Sequence, residues 1–503
     1  MFRRGRLPVL FFLILLIHTA ISLSHAVTLR PWNDEGAMAS PAYDLLTHGH
    51  TGTRSWSEGL WPGIHTHTYY IMPAHFLALA AWFRIFGVGL FQMRVFSLLW
   101  GLVALVTCYI LARRLTLSEG WALVAMAITA CDYMVLSASS FGRMDMMSAA
   151  LGLSSIAVYL SLRKRRLATA LITASALNAA AVFTHPIAMA HFFGLIFVVL
   201  YFDRKSLSLR LIALAAVPFV AATALWGLYA LQSPADFMAQ FKGNANYSGR
   251  LAKMASPVAA VKSELRDRYL TAYGLGTHSP GHNGPIYLKA LALAAYLLGL
   301  IGCFTMGAIR HNRFYRVVLV LIPIYFFVMA LVDGTKGTYY LVHITPLFAL
   351  ALTIFCCEAA RFRPRLLPVL AMVLVGTAVV QGGGILYKAH GDTYRNRYEP
   401  AVDFLKRNTS AHDLIAGSAA MTFDFGFDGT RLVDDVRMGL YGEPKPDFFV
   451  MDEIYAGQIE GWKHVNPPLA KYVEGVLHRE YTPVYDYADI IIYRRIQPRG
   501  PAL

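Results

Sequence analysis

Directly after its first long apolar run the chain reads Arg30-Pro31-Trp32-Asn33-Asp34-Glu35-Gly36. Pro31 ends the preceding helix. Asp34 and Glu35 then fall where lipid headgroups meet water. Two adjacent carboxylates are thus placed at the membrane edge, where they could act in general acid–base chemistry. The plainer alternative is that both acids only favour the first turn of the short amphipathic stretch 36–48. A second stretch, Phe141-Gly142-Arg143-Met144-Asp145, opens another apolar run. An acid entering a span is costly and faces a cavity or a partner; a simple Arg143–Asp145 pair would also satisfy it. A third stretch runs from Asp333 through Lys336 to Tyr339-Tyr340 and His343. Lys336 is the lone base of a short loop, where a phosphate needs a cation and where Tyr340 can add a hydrogen bond. The competing reading is a belt anchor, with Lys336 snorkelling beside interfacial tyrosines.

Histidines also gather between the apolar runs: His48, His50, His65, His67, His185, His278 and His282. His65-Thr66-His67 has the alternate spacing that could hold a divalent cation together with Asp34 or Glu58. Scattered loop histidines are nevertheless commoner than sites. Arg250, Lys253, Lys262, Arg266 and Arg268 make 232–284 basic, and so suited to anionic headgroups.

These groups must be carried by membrane spans. The 503 residues are 56% hydrophobic and only 15% charged, with a mean hydropathy of +0.47. A soluble chain carries roughly 25% charge. The net charge of +15 is spread in short clusters between apolar runs, the pattern of membrane orientation rather than of nucleic-acid binding. Cys108, Cys131, Cys303, Cys356 and Cys357 lie inside apolar runs and show no metal-ligand spacing.

A span needs about 20 apolar residues. Candidates are 7–29, 91–112, 120–138, 144–162, 167–184, 187–202, 208–231, 285–307, 315–332, 339–357 and 365–386. The first follows Arg3, Arg4 and Arg6. It could be a signal peptide, but is long enough to span and is read as uncleaved. Basic clusters recur at Arg113/Arg114, Arg163–Arg166, Arg204/Lys205/Arg210, Arg310/Arg313/Arg316 and Arg361/Arg363/Arg365. The positive-inside rule places them in the cytoplasm. Residues 69–87 are apolar enough to span, yet a span there would invert every later cluster. They are therefore read as an interfacial or re-entrant helix. The prediction is an all-α polytopic bundle of about eleven spans, with the N-terminus inside. Its large non-cytoplasmic segments are 30–90, 232–284 and 387–503. The polar tail reads as a small α/β domain. Helices are expected at 399–408 and 467–479, and strands at 413–419, 447–451 and 490–493. The domain division is 1–390 and 391–503.

In this order of elements the chain resembles the GT-C membrane glycosyltransferases, specifically the protein O-mannosyltransferase and lipid A aminoarabinose transferase superfamily. The elements are Asp34-Glu35 after the first span, Arg143-Met144-Asp145 at the second outer loop, and Lys336 with Tyr339-Tyr340-Leu341 and Pro346 late in the bundle. The resemblance covers roughly 1–390; the tail is less diagnostic. It implies a polyprenyl-phosphate-linked sugar as donor. It also implies hexosyl or pentosyl transfer on the non-cytoplasmic face of a membrane. The expected setting is the bacterial inner membrane, with the C-terminus periplasmic. Asp34 would be the catalytic carboxylate, with Glu35 beside it and Asp145 as a second site acid. Lys336, Tyr340 and Arg143 would lie near the donor phosphate. Two departures bear on the acceptor. The lipid A branch often carries a Glu-Lys pair late in the first outer loop, whereas Glu58 here precedes Gly59. The protein-mannosyltransferase branch inserts a lumenal domain, for which 232–284 is too short. The acceptor thus stays open among lipid, glycan and protein, and the tail is expected to help select it.

A transporter or lipid-linked sugar flippase is the competing class. It would want ionisable residues lining a mid-span path, and often two related halves. Here the acids gather at one edge and no internal repeat is visible.

Overall fold

The computed structural model describes residues 7–115, 117–247, 250, 256–276, 287–442 and 444–496. Arg3, Arg4, Arg6, Lys253, His278 and His282 lie outside these. The protein is a multi-pass membrane bundle. Among the described residues ten helices are long and apolar enough to cross a membrane, and a bent pair brings the number to eleven.

The first span, α1 (Leu7–Thr28), is followed by α2 (Asn33–Thr47) and α3 (Pro73–Phe86). Pro73 starts α3, and Gly87, with φ 83°, follows the last of its 14 residues. A helix of that length, at roughly 1.5 Å per residue, is shorter than a hydrocarbon core of roughly 30 Å. α3 packs on α2 and on α8 (Leu167–Thr184), as expected for a helix that does not cross. α4 (Leu90–Arg114) crosses next.

The predicted span 120–138 is instead two helices, α5 (Glu119–Cys131) and α6 (Tyr133–Ser140), bent by 60°. The cause is Asp132. Its carboxylate accepts from the N–H of Met134 at 2.8 Å and from that of Val135 at 3.2 Å. These bonds cap a new helix inside the apolar run. Tyr296 satisfies the other oxygen at 2.8 Å.

The remaining spans are α7 (Met144–Leu162), α8, α9 (Met189–Asp203) and α10 (Leu209–Ala230). Two short helices, α11 (Pro234–Tyr247) and α12 (Pro257–Ser263), then precede α13 (Tyr287–Thr305). After α14 (Gly307–His311) come α15 (Tyr315–Val332), α16 (Thr345–Phe362) and α17 (Leu367–His390). The span expected from 339 begins only at Thr345, because 338–343 forms a 3-10 turn that carries Tyr339 and Tyr340. Following the chain through these elements, the arginine-rich connections after α4, α7, α9, α14 and α16 all fall at the end of the bundle opposite Asp34.

The C-terminal part holds a five-stranded mixed sheet in the order β2-β1-β3-β5-β4: β1 (Ile415–Ala416), β2 (Leu432–Val433), β3 (Phe448–Met451), β4 (Tyr481–Tyr487) and β5 (Ile490–Arg495). β1 pairs in parallel with β2 and β3, while β5 runs antiparallel to β3 and β4. α18 (Glu399–Asn408) and α21 (Pro467–Glu480) lie where helices are predicted. The short α19 (Thr422–Phe425) and the longer α20 (Glu453–Val465) are additional.

The sheet domain rests on the Asp34 end of the bundle. Arg30 at the end of α1 ion-pairs with Glu453 and with Asp489, the latter at 2.7 Å. Tyr43 stacks on Phe427 with centroids 4.8 Å apart. The tightest contact is at Gly36, where an added Cβ would run into the Ala419 carbonyl oxygen. Backbone cannot yield as a flexible side chain can. Gly36→Ala is therefore expected to cost about 1–3 kcal/mol or more, the usual scale of overpacking, and to lift the domain from α2. Faster proteolytic cleavage near 391–398, with the membrane part intact, would show it; unchanged cleavage would mean the seam adjusts.

Candidate functional site

Four elements meet at the end of α1: the first turn of α2, the start of α4, the turn between α6 and α7, and the 338–343 turn. The start of α2 is fixed from within. The Glu35 carboxylate accepts from the Trp32 N–H at 3.0 Å, the reciprocal half of a capping box. It is also fixed from outside, because Arg94, near the start of α4, grips Glu35 through two bonds of 2.8 and 2.7 Å. Both are charge-assisted, the strong kind. The Gly142 N–H adds a fourth bond at 2.7 Å. The remaining Arg94 donors reach the carbonyls of Ala26 and Leu29 (2.5 and 2.8 Å) and of Arg30 (3.2 Å). These include carbonyls that the end of α1 leaves without helical partners. Glu35 and Arg94 are both buried, at 0% and 1% side-chain exposure.

Asp34 points the other way and keeps 32% of its side chain exposed. Arg143 pairs with it and simultaneously with Asp145, at 2.8 Å to Oδ2. The guanidinium lies 4.0 Å from the Tyr339 ring centroid and 5.2 Å from that of Trp32. Two rings and two carboxylates thus hold Arg143 in one place. Asp145 sits in the first turn of α7, where the helix dipole favours an anion. Arg143 therefore brings together Asp34 and Asp145, two of the three acids singled out in the sequence, and Tyr340 packs beside Tyr339 with centroids 4.4 Å apart.

Several buried polar atoms around this group have no hydrogen-bond partner within the protein. They include Oδ1 of Asp145, Nε2 of His185, both ring nitrogens of His75, and Nε of Arg250. Buried polar atoms are nearly always bonded, so such a cluster marks a place where a ligand or solvent is received. Burial pushes His185 down to about 4 against the pull of Asp145, with Arg250 and Arg143 acting in the same direction as burial. His185 is thus neutral at pH 7. Its Nδ1 accepts from the Ile187 N–H at 3.1 Å, which leaves the proton on Nε2 as a free donor. Arg250 acts electrostatically on His185, Tyr340 and Asp333, and no ion pair joins it to any described residue.

Lys336, expected near the donor phosphate, faces a buried ion-pair network. It is 3% exposed, and its Nζ lies 2.6 Å from the Ala330 carbonyl and 3.1 Å from Glu264. Glu264 is shared with Arg268, which also pairs with Asp333. This buried network supports the 338–343 turn from behind. His65 and His67 diverge. His65 Nε2 bonds the Trp56 carbonyl at 2.7 Å, and its other nitrogen is 3.7 Å from Glu58. His67 bonds Gln232 at 3.0 Å. His48 and His50 share Asp44 instead, at 2.7 and 2.6 Å. Among the described residues no three His, Cys, Asp or Glu side chains gather as a metal set.

Arg94 and His75 escaped the sequence reading. Arg94 had a signal, a lone arginine at the head of an apolar run. His75 had none, because nothing in its neighbourhood tells which face of α3 it occupies.

No family model and no curated protein matches the chain. Solved structures do. ArnT from Cupriavidus metallidurans bound to undecaprenyl phosphate superposes with a TM-score of 0.60 at 15% identity, over 98% of this chain and 99% of that one. AglB, the oligosaccharyltransferase of Archaeoglobus fulgidus, in complex with an inhibitory peptide and a dolichol-phosphate, gives 0.52 at 13%, over 94% and 69%. The same archaeal enzyme in complex with Zn and sulfate gives 0.53 at 13%, over 93% and 67%. These are GT-C proteins, and the fold of this chain is the GT-C fold.

Proposed function

We propose that this GT-C-fold chain is a membrane glycosyltransferase that moves a sugar from a polyprenyl-phosphate carrier to a lipid, glycan or protein acceptor. The reaction takes place at the Asp34 end of the bundle, which we assign to the non-cytoplasmic face because the arginine clusters lie at the opposite end. The observation that carries the reading is Asp34 itself. It is a partly exposed carboxylate at the membrane edge, held by Arg143 beside a buried cluster of unpartnered polar atoms. The two similar proteins whose structures hold undecaprenyl phosphate and dolichol-phosphate support the class of donor.

In this reading the acceptor hydroxyl gives its proton to Asp34 as its oxygen bonds to the anomeric carbon. The bond from that carbon to the phosphate oxygen breaks, and the lipid phosphate leaves with the electron pair. Arg250 is the cation placed to receive it, with His185 Nε2–H as a further donor. Lys336 and Tyr340 then hold the turn rather than the phosphate, and Glu35 positions rather than reacts. The described side chains do not form a metal set, so no step is routed through a divalent cation. A cleft of about 150 Å³ at the seam, walled by Trp32 and Phe141 below and by Tyr398, Ser418 and Glu453 above, supports placing 391–503 on the acceptor side.

Transfer of radiolabelled sugar from a panel of purified polyprenyl-phosphate sugars, in liposomes, tests the class. Arg250→Gln is expected to raise the KM for the donor about 10- to 100-fold, the worth of one hydrogen bond to a charged group. Product formed by neither protein from any donor, with both shown to be folded, would favour the transporter reading. Wild-type activity with an unchanged KM in the variant would remove Arg250 from the phosphate.

A further inference from the structure

We propose that Lys289 and Lys388, converging on Tyr133, form a seat for the phosphate of an anionic membrane lipid, separate from the Asp34 group and independent of the transfer reaction. Tyr133 opens α6 immediately after the bend at Asp132. Lys289 lies in the first turn of α13 and Lys388 in the last turn of α17. Their Nζ atoms are 4.1 and 5.4 Å from the Tyr133 ring centroid. Two ammonium groups brought to one ring repel each other unless an anion lies between them. None is supplied by the described protein. Neither lysine has an ion-pair partner among the described residues. Asp132, next to Tyr133, is occupied by Tyr296 and by two backbone N–H groups. Residues 277–286, which lead into α13, contain no Asp or Glu.

The surroundings select a lipid. Tyr287 and Tyr387, beside the two lysines, are 68% and 81% exposed, the disposition of an interfacial belt. Below them Leu291 on α13 and Val379 on α17 are exposed apolar side chains, in spans whose outward faces meet hydrocarbon. A phosphodiester between the lysines would lay its acyl chains along these faces. Each lysine ammonium is a charge-assisted hydrogen-bond donor suited to a phosphate oxygen.

Native mass spectrometry of the full chain in detergent, doped with phosphatidylglycerol or phosphatidylcholine, tests the site. Wild type is expected to retain one more phosphatidylglycerol per protein than Lys289→Gln/Lys388→Gln, and to be stabilised thermally by that lipid alone. Lys289→Arg/Lys388→Arg should retain it as wild type does. Equal retention by wild type and the Gln variant, or loss in the Arg variant, would overturn the proposal. So would equal stabilisation by millimolar inorganic phosphate, which would assign the lysines to a soluble anion.

Discussion

Asp34→Asn is expected to lower sugar transfer by about 10²- to 10⁴-fold, the usual worth of a positioned general base, while the protein inserts and folds as wild type does. The second half follows from burial. Asp34 is the exposed member of the Arg143 group, and its loss leaves Arg143 with Asp145 at 2.8 Å and both aromatic rings in place. No cation is stranded without a partner, so the cost that attends a broken buried pair does not arise. The donor should still bind, because Arg250 and His185 are untouched; the fall should appear in kcat and leave the donor KM nearly unchanged. Side-by-side assays of wild type and variant with one purified donor measure both constants. Near-full activity in Asp34→Asn would remove this carboxylate from the chemistry. A fall confined to KM would make it a binding group.

The membrane part was readable because its rules are blunt. Each of the eleven predicted apolar runs carries helix, although two boundaries moved for local reasons. At Asp132 an acid inside the run recaps the chain and bends it. Before Thr345 a tight 3-10 turn replaces the first turns of the expected span. The arginine clusters separated from Asp34 as the charge bias required, and α3 fell short of a span's length. The three chemical stretches also came together, since Arg143, Asp145, Tyr339 and Asp34 form one contact group. What the sequence could not supply is the division of labour inside that group. Asp34 and Glu35 are adjacent and chemically alike, yet successive side chains of a helix point about 100° apart. One faces the open edge and the other faces Arg94, which is 59 residues away in the chain. Lys336 was likewise legible as the cation of its loop. Its capture by Glu264 depends on a fold between two distant segments, which no spacing reveals.

That division gives Glu35→Gln the opposite expectation. The substitution keeps shape and removes charge, so Arg94 stays buried at 1% exposure facing a neutral amide. Removing one partner of a buried pair costs about 3–5 kcal/mol, enough to consume much of a typical stability of about 5–15 kcal/mol. The amide must also turn an N–H toward one of the groups that now donate to Glu35, the Trp32 N–H or the Gly142 N–H. The expected result is a poor yield of monodisperse protein and a lowered thermal transition. Any activity lost should track the folded fraction. Arg94→Met alone should be as harmful, since it strands the carboxylate and releases the carbonyls of Ala26 and Leu29. The double variant Glu35→Gln/Arg94→Met should recover part of the loss but not all of it, because those carbonyls remain without a donor. The coupling in this cycle separates two roles for Glu35. A large favourable coupling in stability makes it the residue that fixes the first turn of α2, and so the direction of Asp34. A Glu35→Gln protein that is fully stable yet inactive would instead make Glu35 part of the chemistry.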